Sequence, residues 1–418
     1  MPSFTSTLRQ LFSNRNFVVL TVSDVLFLVG ATLWWPFQAL YILELGASKQ
    51  ILGMIMMLQS ASMLIFQLPG GILADRFGRK RVLIPASFLR CVPPILYLVA
   101  NHWVVIIPGV IINALSSVDL PAWQALLAES LPVENRGVGY GFHSTLISIP
   151  RIFLMPLGGI LLDSVGLLPG MRLCLMLNSV LIFIYSLILW GFLIETKGED
   201  KGRGSERQEE KGEQRSVVQG MKTLPKEIWV LVLVGGLSSF AINLSMSFMV
   251  VYADEVIGLT KTEWGFTGTL LTLISTVMTT PSGFLADRVG RKSCILFSNI
   301  LSLISTFGFI NSHDFKGVLL SRGVGGAGSG FGGIVSGVHG GPVWQALVAD
   351  LAPSETRGII IALIGTITGS LGTPSPWIGG YLYDNISSVL PFQLNIALRV
   401  GAMAIFTLFL KEPRDRAR

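Results

Sequence analysis

Long apolar segments alternate with short polar connections along the whole chain. Each apolar segment has about 20 residues, enough to cross the roughly 30 Å hydrocarbon core of a bilayer as a helix. The segments lack the alternating pattern of strands, and an open strand leaves its backbone groups unpaired in lipid. The pattern predicts an all-α membrane protein with twelve transmembrane helices. Their expected bounds are 17–43, 51–73, 82–100, 104–127, 139–162, 171–194, 228–251, 264–286, 293–311, 318–340, 358–382 and 391–410.

Composition and charge agree with this class. Hydrophobic residues make up 51% of the chain, and the formal net charge is +6. If both termini are cytoplasmic, most Lys and Arg residues fall on the inner side, as the positive-inside rule requires. The charge therefore indicates contact with anionic lipid headgroups and gives no support for a nucleic-acid partner. We expect a multi-pass protein of the cell membrane with both termini in the cytoplasm.

Two phrases occur twice in the same order. "GGILADRFGRK" at 70–80 returns as "SGFLADRVGRK" at 282–292, and "PAWQALLAESLPVENRG" at 121–137 returns as "PVWQALVADLAPSETRG" at 342–358. The stretch 196–226 between them is rich in Glu, Lys, Arg and Gly, which predicts a solvated linker. We therefore expect two parallel six-helix bundles, 1–195 and 227–418, joined by a charged cytoplasmic linker at 196–226.

With these repeats the chain resembles the major facilitator superfamily, which carries such a charged phrase between helices 2 and 3 and between helices 8 and 9. The resemblance covers essentially the whole chain and is closest in general pattern to the drug-efflux members. It implies two pseudo-symmetric six-helix bundles that work as a monomer by alternating access. The substrate site would then lie near the membrane midplane between the bundles.

Each copy of the charged phrase is predicted to form a short cytoplasmic turn. Its first glycine allows a neighbouring helix to approach, and its aspartate can accept bonds at a helix N-terminus. Its second glycine permits the tight turn, and its bases contact headgroups or pair with the acid. The resemblance implies that the two loops latch the bundles together. These latch residues are Gly71, Asp75, Arg76, Gly78, Arg79, Lys80, Gly283, Asp287, Arg288, Gly290, Arg291 and Lys292.

Ionisable side chains inside predicted spans are costly and are functional candidates by default. The resemblance places helices 1, 4, 7 and 10 around the cavity, with help from helices 2, 5, 8 and 11. An asparagine in mid-span could bond a ligand or another helix, and an arginine near the outer boundary could reach water. The candidates for substrate binding or proton coupling are Asp24, Asp119, Arg151, Asn113, Asn243 and Arg322.

Arg90 and Arg399 lie on helices that the resemblance places at the outside, so they are candidates for structural ion pairs. Asp24 and Arg90 have the same predicted depth, about 11–12 Å from the cytoplasmic end, so these two could pair. A desolvated carboxylate at Asp24 or Asp119 could exchange protons. A tight pair with Arg90 would keep Asp24 charged and remove it from that role.

Aromatic residues near the outer end of the first span allow two interpretations. Trp34, Trp35 and Phe37 could belong to an interfacial aromatic belt or form a stacking surface for a flat apolar substrate.

The sequence disfavours other classes of function. It lacks the phosphate-binding loop of a nucleotide-driven pump, and its four His residues are dispersed, unlike those of an enzyme site. Neither a metal nor a cofactor is expected. The leading prediction is a secondary active transporter that couples efflux of small organic molecules to protons. The alternative is uptake or exchange of a small organic anion or metabolite, and a membrane-embedded enzyme is a remote alternative.

Two departures weaken the assignment to drug antiporters within the family. Such antiporters usually carry an arginine in helix 4 where this chain has Pro108-Gly109. Their glycine-proline signature in helix 5 is altered here to "RIFLMPLGG" at 151–159.

Overall fold

A computed structural model describes residues 10–131, 136–195, 226–332, 341–352 and 357–410. All regular secondary structure in these residues is helical, as the apolar pattern predicts. We number the helical segments in chain order. They are α1 Arg15–Glu44, α2 Lys49–Phe77, α3 Arg79–Leu98, α4 Trp103–Glu129, α5 Arg136–Val165, α6 Leu167–Phe192, α7 Lys226–Ile257, α8 Lys261–Val289, α9 Arg291–Ile310, α10 Phe315–Gly330, α11 Pro342–Leu351, α12 Arg357–Gly372, α13 Ser375–Asn385 and α14 Leu390–Phe409.

Short polar side chains start several helices by accepting hydrogen bonds from backbone N–H groups that have no partner within the helix. Ser48 caps α2 by accepting from the amide of Ile51 at 3.2 Å. Thr260 and Glu263 form a reciprocal capping box at the start of α8. Local sequence thus fixes where these helices begin.

Proline interrupts two of the long helices, because it lacks an N–H donor and clashes with the preceding turn. In α1 the turn Trp35–Phe37, which contains Pro36, is a 3-10 helix. In α8 the axis bends by 49° between Lys261–Thr279 and Pro281–Val289.

Among the described residues, nine helices are long and apolar enough to cross a membrane, and the bent α8 makes a tenth. The class of multi-pass helical membrane protein is therefore confirmed. The count of twelve stays a prediction, since the expected span 318–340 ends outside the described residues. Nearly all of the expected linker 196–226 and the tail beyond Leu410 also lie outside the described residues.

Two ends of the molecule can be distinguished by its buried clusters. We call residues 10–195 the N-half and residues 226–410 the C-half. The motif end is the end of the molecule that carries the turns at Gly78 and Gly290, and the far end is the opposite end. At the far end one continuous apolar cluster combines both halves and includes Tyr41 and Phe309. At the motif end each half has its own cluster. The halves are therefore joined at the far end.

Candidate functional site

A cavity of about 410 Å³ lies between the two halves, lined by residues of α1, α2, α5, α7, α8 and α10. On α1, Leu28, Thr32 and Trp35 recur every three or four residues. On α5, Arg151 and Met155 are four residues apart. This is the spacing of one helical face, so each helix turns a single face to the cavity.

The cavity wall is mainly apolar and carries positive charge. Arg151 and Arg322 are the charged side chains among its described lining residues, which include no Asp or Glu. Its other polar lining residues are Thr32, Gln38, Asn243, Ser247 and Thr272.

Arg322 lies against soft and aromatic groups. Its guanidinium carbon is 5.2 Å from the centre of the Trp264 ring, and Nη1 is 3.6 Å from Sδ of Met249. Its Nε is buried and has no hydrogen-bond partner among the described residues. The guanidinium therefore has donor capacity that no strong acceptor uses.

A first contact between the halves closes the far end of the cavity. Asp163, near the end of α5, accepts from the amides of Lys261 at 3.1 Å and Thr262 at 2.8 Å. It also accepts from the Thr262 hydroxyl at 2.6 Å. The capping box of α8 does not serve these two amides, so the carboxylate of the other half satisfies them at the positive end of the helix dipole.

A second contact repeats the first with the halves exchanged. Asp384, near the end of α13, accepts from the amide of Gln50 in the first turn of α2 at 2.8 Å. Asp163 and Asp384 are 221 residues apart, the offset of the repeated phrase at 121 and 342. We call these two contacts the far-end clasps.

Glycines allow the helices of each clasp to touch. A Cβ at Gly159 would overlap the backbone of Lys261 and Thr262, and a Cβ at Gly380 would overlap that of Lys49 and Gln50. Helix pairs α5–α8 and α2–α13 therefore pack backbone against backbone across the halves, as small residues permit in membrane proteins.

At the motif end, the two repeated phrases form tight turns. Gly78 and Gly290 have φ values of +95° and +99°, a conformation that costs glycine little. Arg79 ion-pairs with Glu129, and Arg291 ion-pairs with Asp350. Each pair joins the first repeated phrase of one half to the second repeated phrase of the same half.

The lysines of the motif-end turns follow the same rule. Lys80 donates from Nζ to the carbonyl of Leu193 at 2.6 Å, and its amide donates to Glu195 at 2.9 Å. Lys292 donates from Nζ to the carbonyl of Leu410 at 2.6 Å. All these bonds stay within one half, unlike the clasps.

Comparison with known families identifies this architecture. The chain matches the Major Facilitator Superfamily over residues 20–259 and again over 231–418. It belongs to that superfamily. The family consists of transporters rather than enzymes, so the all-α membrane fold and the transporter class predicted from the sequence are confirmed.

Among curated relatives, the quinolone resistance protein NorA of Staphylococcus aureus is 29% identical over 189 residues, 45% of this chain and 46% of NorA. The chain thus matches about half the length of that relative. A bacterial homologue of the human lysosomal transporter Spinster, in its inward-facing unoccupied conformation, has a TM-score of 0.71 at 15% identity, covering 94% and 96% of the two chains. The D-xylose-proton symporter has a TM-score of 0.70 at 16% identity, covering 95% and 98%. At these identities the structures show the shared fold alone.

Some latch residues of this superfamily member lie differently from expectation. The prediction that another helix approaches closely at Gly71 and Gly283 is wrong for this conformation. A Cβ at Gly71 would only touch Pro121, and one at Gly283 would meet open space. Gly70 is the packed glycine, against the backbone of Val118. The remaining latch side chains, which are exposed at this end, are Asp75, Arg76, Asp287 and Arg288.

The buried charges of the N-half form pairs other than the one considered from the sequence. Arg90 donates from Nη2 to both carboxylate oxygens of Asp119, at 2.7 and 2.9 Å. The pair of Arg90 with Asp24, which the sequence left open, is not formed in this structure. Arg90 nevertheless has the structural ion pair predicted for it, and Asp119 is held in this pair away from the central cavity.

Asp24 pairs instead with His143 on α5. Oδ2 of Asp24 lies 2.9 Å from Nε2 of His143, and the two side chains are only 16% and 5% exposed. Residue depth along the spans points from Asp24 to Arg90, whereas the packing of α1 against α5 brings His143 to Asp24.

The two asparagine candidates separate. Asn243 lines the central cavity and donates to the carbonyl of Ser239 at 2.9 Å. Asn113 instead lines a second cavity of about 90 Å³ inside the N-half, beside Asn178 and Gln59. Only Asn243 is therefore placed to meet a ligand between the halves.

Arg399 does not form the ion pair predicted for it within the described residues. It is 3% exposed and donates to Ser302 at 2.9 Å and to Asn299 at 3.2 Å. Neutral oxygens on α9, the helix packed against α14, thus replace the expected carboxylate.

The aromatic residues near the far end of α1 have separate positions. Trp35 lines the central cavity, Trp34 lies 5.8 Å from Tyr97, and Phe37 is fully buried in the far-end cluster. Of the three, Trp35 is in place for the stacking interpretation.

Proposed function

We propose that the protein is a secondary transporter that moves small organic molecules by alternating access through the central cavity. The observation that carries this proposal is the contrast between the ends of that cavity. The clasps of Asp163 and Asp384 close the far end across both halves, whereas the motif-end bonds of Arg79, Arg291 and the lysines stay within one half. Such a structure represents one of the two access states that the mechanism requires.

The direction we propose is efflux from the cytoplasm across the cell membrane, with the motif end at the cytoplasmic face. The relative named for quinolone resistance supports an efflux role, and the basic residues of the motif-end turns agree with the positive-inside rule.

We further propose that protons drive the cycle through Asp24 and His143. Asp24 lies four residues before Leu28 on α1, and His143 lies eight residues before Arg151 on α5. At about 1.5 Å per residue, the pair is one to two turns from the cavity on the faces that line it. A proton bound here can therefore respond to the cavity's state.

Other ionisable groups surround this pair. Arg90 of α3 and Asp119 of α4 bond each other, and Tyr185 of α6 lies 3.5 Å from Arg90. Because Arg90 already neutralises Asp119, a proton can enter or leave the Asp24–His143 pair without breaking that ion pair.

In the opposite state, the latch residues of the two motif-end turns would hold that end closed. Their role rests on the family resemblance and on their exposure here. The halves that move would be the predicted bundles 1–195 and 227–418, joined through the linker 196–226.

Distances between spin labels across the halves test the proposal. In a background with the three cysteines replaced by serine, a far-end pair is placed at Ser164 and Lys316, and a motif-end pair at Gly191 and Leu408. All four positions are exposed. Labelled protein in nanodiscs is measured by pulsed electron resonance at pH 5 and pH 8.

We expect two populations at each end, with the far end open when the motif end is closed. Their ratio should differ between the two pH values in the wild type and stay constant in Asp24→Asn. A single, pH-independent distance at both ends would contradict alternating access. Reciprocal populations whose pH response survives in Asp24→Asn would retain the carrier and reject this coupling site.

A further inference from the structure

We propose that the substrate is a small aromatic organic anion whose negative group binds the arginines of the central cavity. This inference rests on the transport function proposed above and specifies its substrate class. It favours a carboxylate-bearing aromatic compound over a lipophilic cation.

The central cavity carries positive charge. Its described lining includes Arg151 and Arg322 and no acidic residue, and the undescribed stretch 333–340 contains no Asp or Glu in its sequence. A cavity of this sign concentrates anions and repels cations, the more so because its walls have a low dielectric constant.

Neither of these guanidinium groups has a carboxylate partner among the described residues. Arg151 forms no ion pair or hydrogen bond within the described residues, and Arg322 has a weak contact to Met249 and an unsatisfied Nε. Arg90, which is partly buried, finds a carboxylate in Asp119, whereas the partly buried Arg322 finds none among the described residues and Arg151 is exposed where it lines the cavity. A ligand carboxylate would supply the missing acceptors with the geometry that guanidinium groups bind best.

The two acids inside the spans of the N-half are already occupied. Asp24 is bonded to His143, and Asp119 to Arg90. They therefore leave the positive charge of the cavity arginines uncompensated.

Apart from its arginines, the cavity wall is largely apolar, with tryptophan and methionine side chains. Trp35 is 53% exposed and lines the cavity with Trp264 and with Met56, Met155 and Met246. Indole faces and thioethers pack well against flat rings, and methionine adapts to different shapes. The wall thus fits an aromatic body, and the arginines fit its acidic group.

The test uses three probes that share one ring system. The purified protein in nanodiscs is titrated by calorimetry with 2-naphthaleneacetate, 2-naphthaleneacetamide and 2-(2-naphthyl)ethylamine. We expect the carboxylate to bind at least about tenfold more tightly than the amide, because a charge-assisted hydrogen bond exceeds a neutral one by about that factor. The amine should bind least.

Matched substitutions locate the site. Arg151→Gln and Arg322→Gln should each reduce the carboxylate-to-amide preference to below about threefold, and Arg322→Lys should retain part of it. The control is Arg172→Gln, whose side chain bonds Asn101 at 2.7 Å outside the cavity. The preference should persist in that control.

Tighter binding of the amine, binding of none of the probes, or an undiminished preference in both Gln variants would overturn the anion class. The variants are also labelled at the far-end pair. If the far end still opens in these variants, a failed anion preference leaves the transport proposal standing. If the far end does not open even in the wild type, transport itself is rejected.

Discussion

The two ends of the molecule use the same residue types in different ways. At the far end, Asp163 and Asp384 accept bonds from helix N-termini of the opposite half. At the motif end, Glu129 and Asp350 accept from arginines of their own half. Asp163 and Asp384 therefore stabilise one arrangement of the halves, while Glu129 and Asp350 each stabilise the half that contains them.

The position of a charge relative to the interface between the halves decides which property of the molecule it controls. Under the proposed alternating access, a contact within one half is present in every access state, so its loss affects the stability of that half. A contact across the halves would exist in one state alone, so its loss should change the ratio of states. Variants at the two ends should therefore be separable by their readouts.

The largest effect is expected from Gly159→Ala or Gly380→Ala. The new Cβ would overlap backbone of the opposite half, and overpacking of this kind costs about 1–3 kcal/mol. The far-end spin-label pair should shift toward the open distance by about 5–150-fold in population.

Gly141→Ala is the matched control, because it places the same methyl group on the same helix α5 with nothing within 4 Å. Its distance distribution should equal that of the wild type. An equal shift in Gly141→Ala, or none in Gly159→Ala, would show that close approach at the clasps does not set the equilibrium.

A smaller shift in the same direction is expected from Asp163→Ala and Asp384→Ala. Each removes an acceptor from a helix N-terminus, which costs about 0.5–2 kcal/mol for ordinary caps. Asp314→Ala removes a similar cap, accepting from Gly317 at 2.9 Å within one half. It should lower thermal stability and leave the distances unchanged; a distance change there would remove the distinction between the ends.

The helical class could be read from the sequence because burial in lipid imposes long apolar segments. The pairing of buried charges could not. Depth along a span follows from residue number, but Asp24 meets His143 because α1 packs against α5 and α6. That packing is a tertiary result which single-span patterns do not contain.

The far-end clasps have a signal in the sequence, but it identifies only one partner of each contact. Gly158-Gly159 returns as Gly379-Gly380 at an offset of 221 residues, and an aspartate follows each pair at the same distance, at Asp163 and Asp384. What the pattern lacks is the partner, since a backbone amide at a helix start has no residue type. A sequence therefore shows such an acceptor more readily than its donor.

At the motif end, Asp287→Asn should act in the opposite direction. If this exposed latch residue stabilises the state in which the motif end is closed, its neutralisation favours the conformation described here by about 0.3–1 kcal/mol. The motif-end pair should then show fewer closed molecules, by roughly two- to fivefold. Glu44→Gln, an exposed acid at the far end, is the control; a shift toward closure in Asp287→Asn would reject the latch.

The smallest effect is expected at the rim of the far end, where adjacent acids have different partners. Glu255 pairs with Lys49 of the other half at 3.0 Å, and Asp254 pairs with Lys261 of its own half at 2.8 Å. Exposed pairs contribute about 0.2–1 kcal/mol and weaken with salt. Glu255→Gln should therefore open the far-end pair by at most about fivefold at low salt and less at high salt, while Asp254→Asn should leave it unchanged. Equal responses of these neighbours would mean that net charge at the rim, rather than contact across the halves, sets the far-end equilibrium.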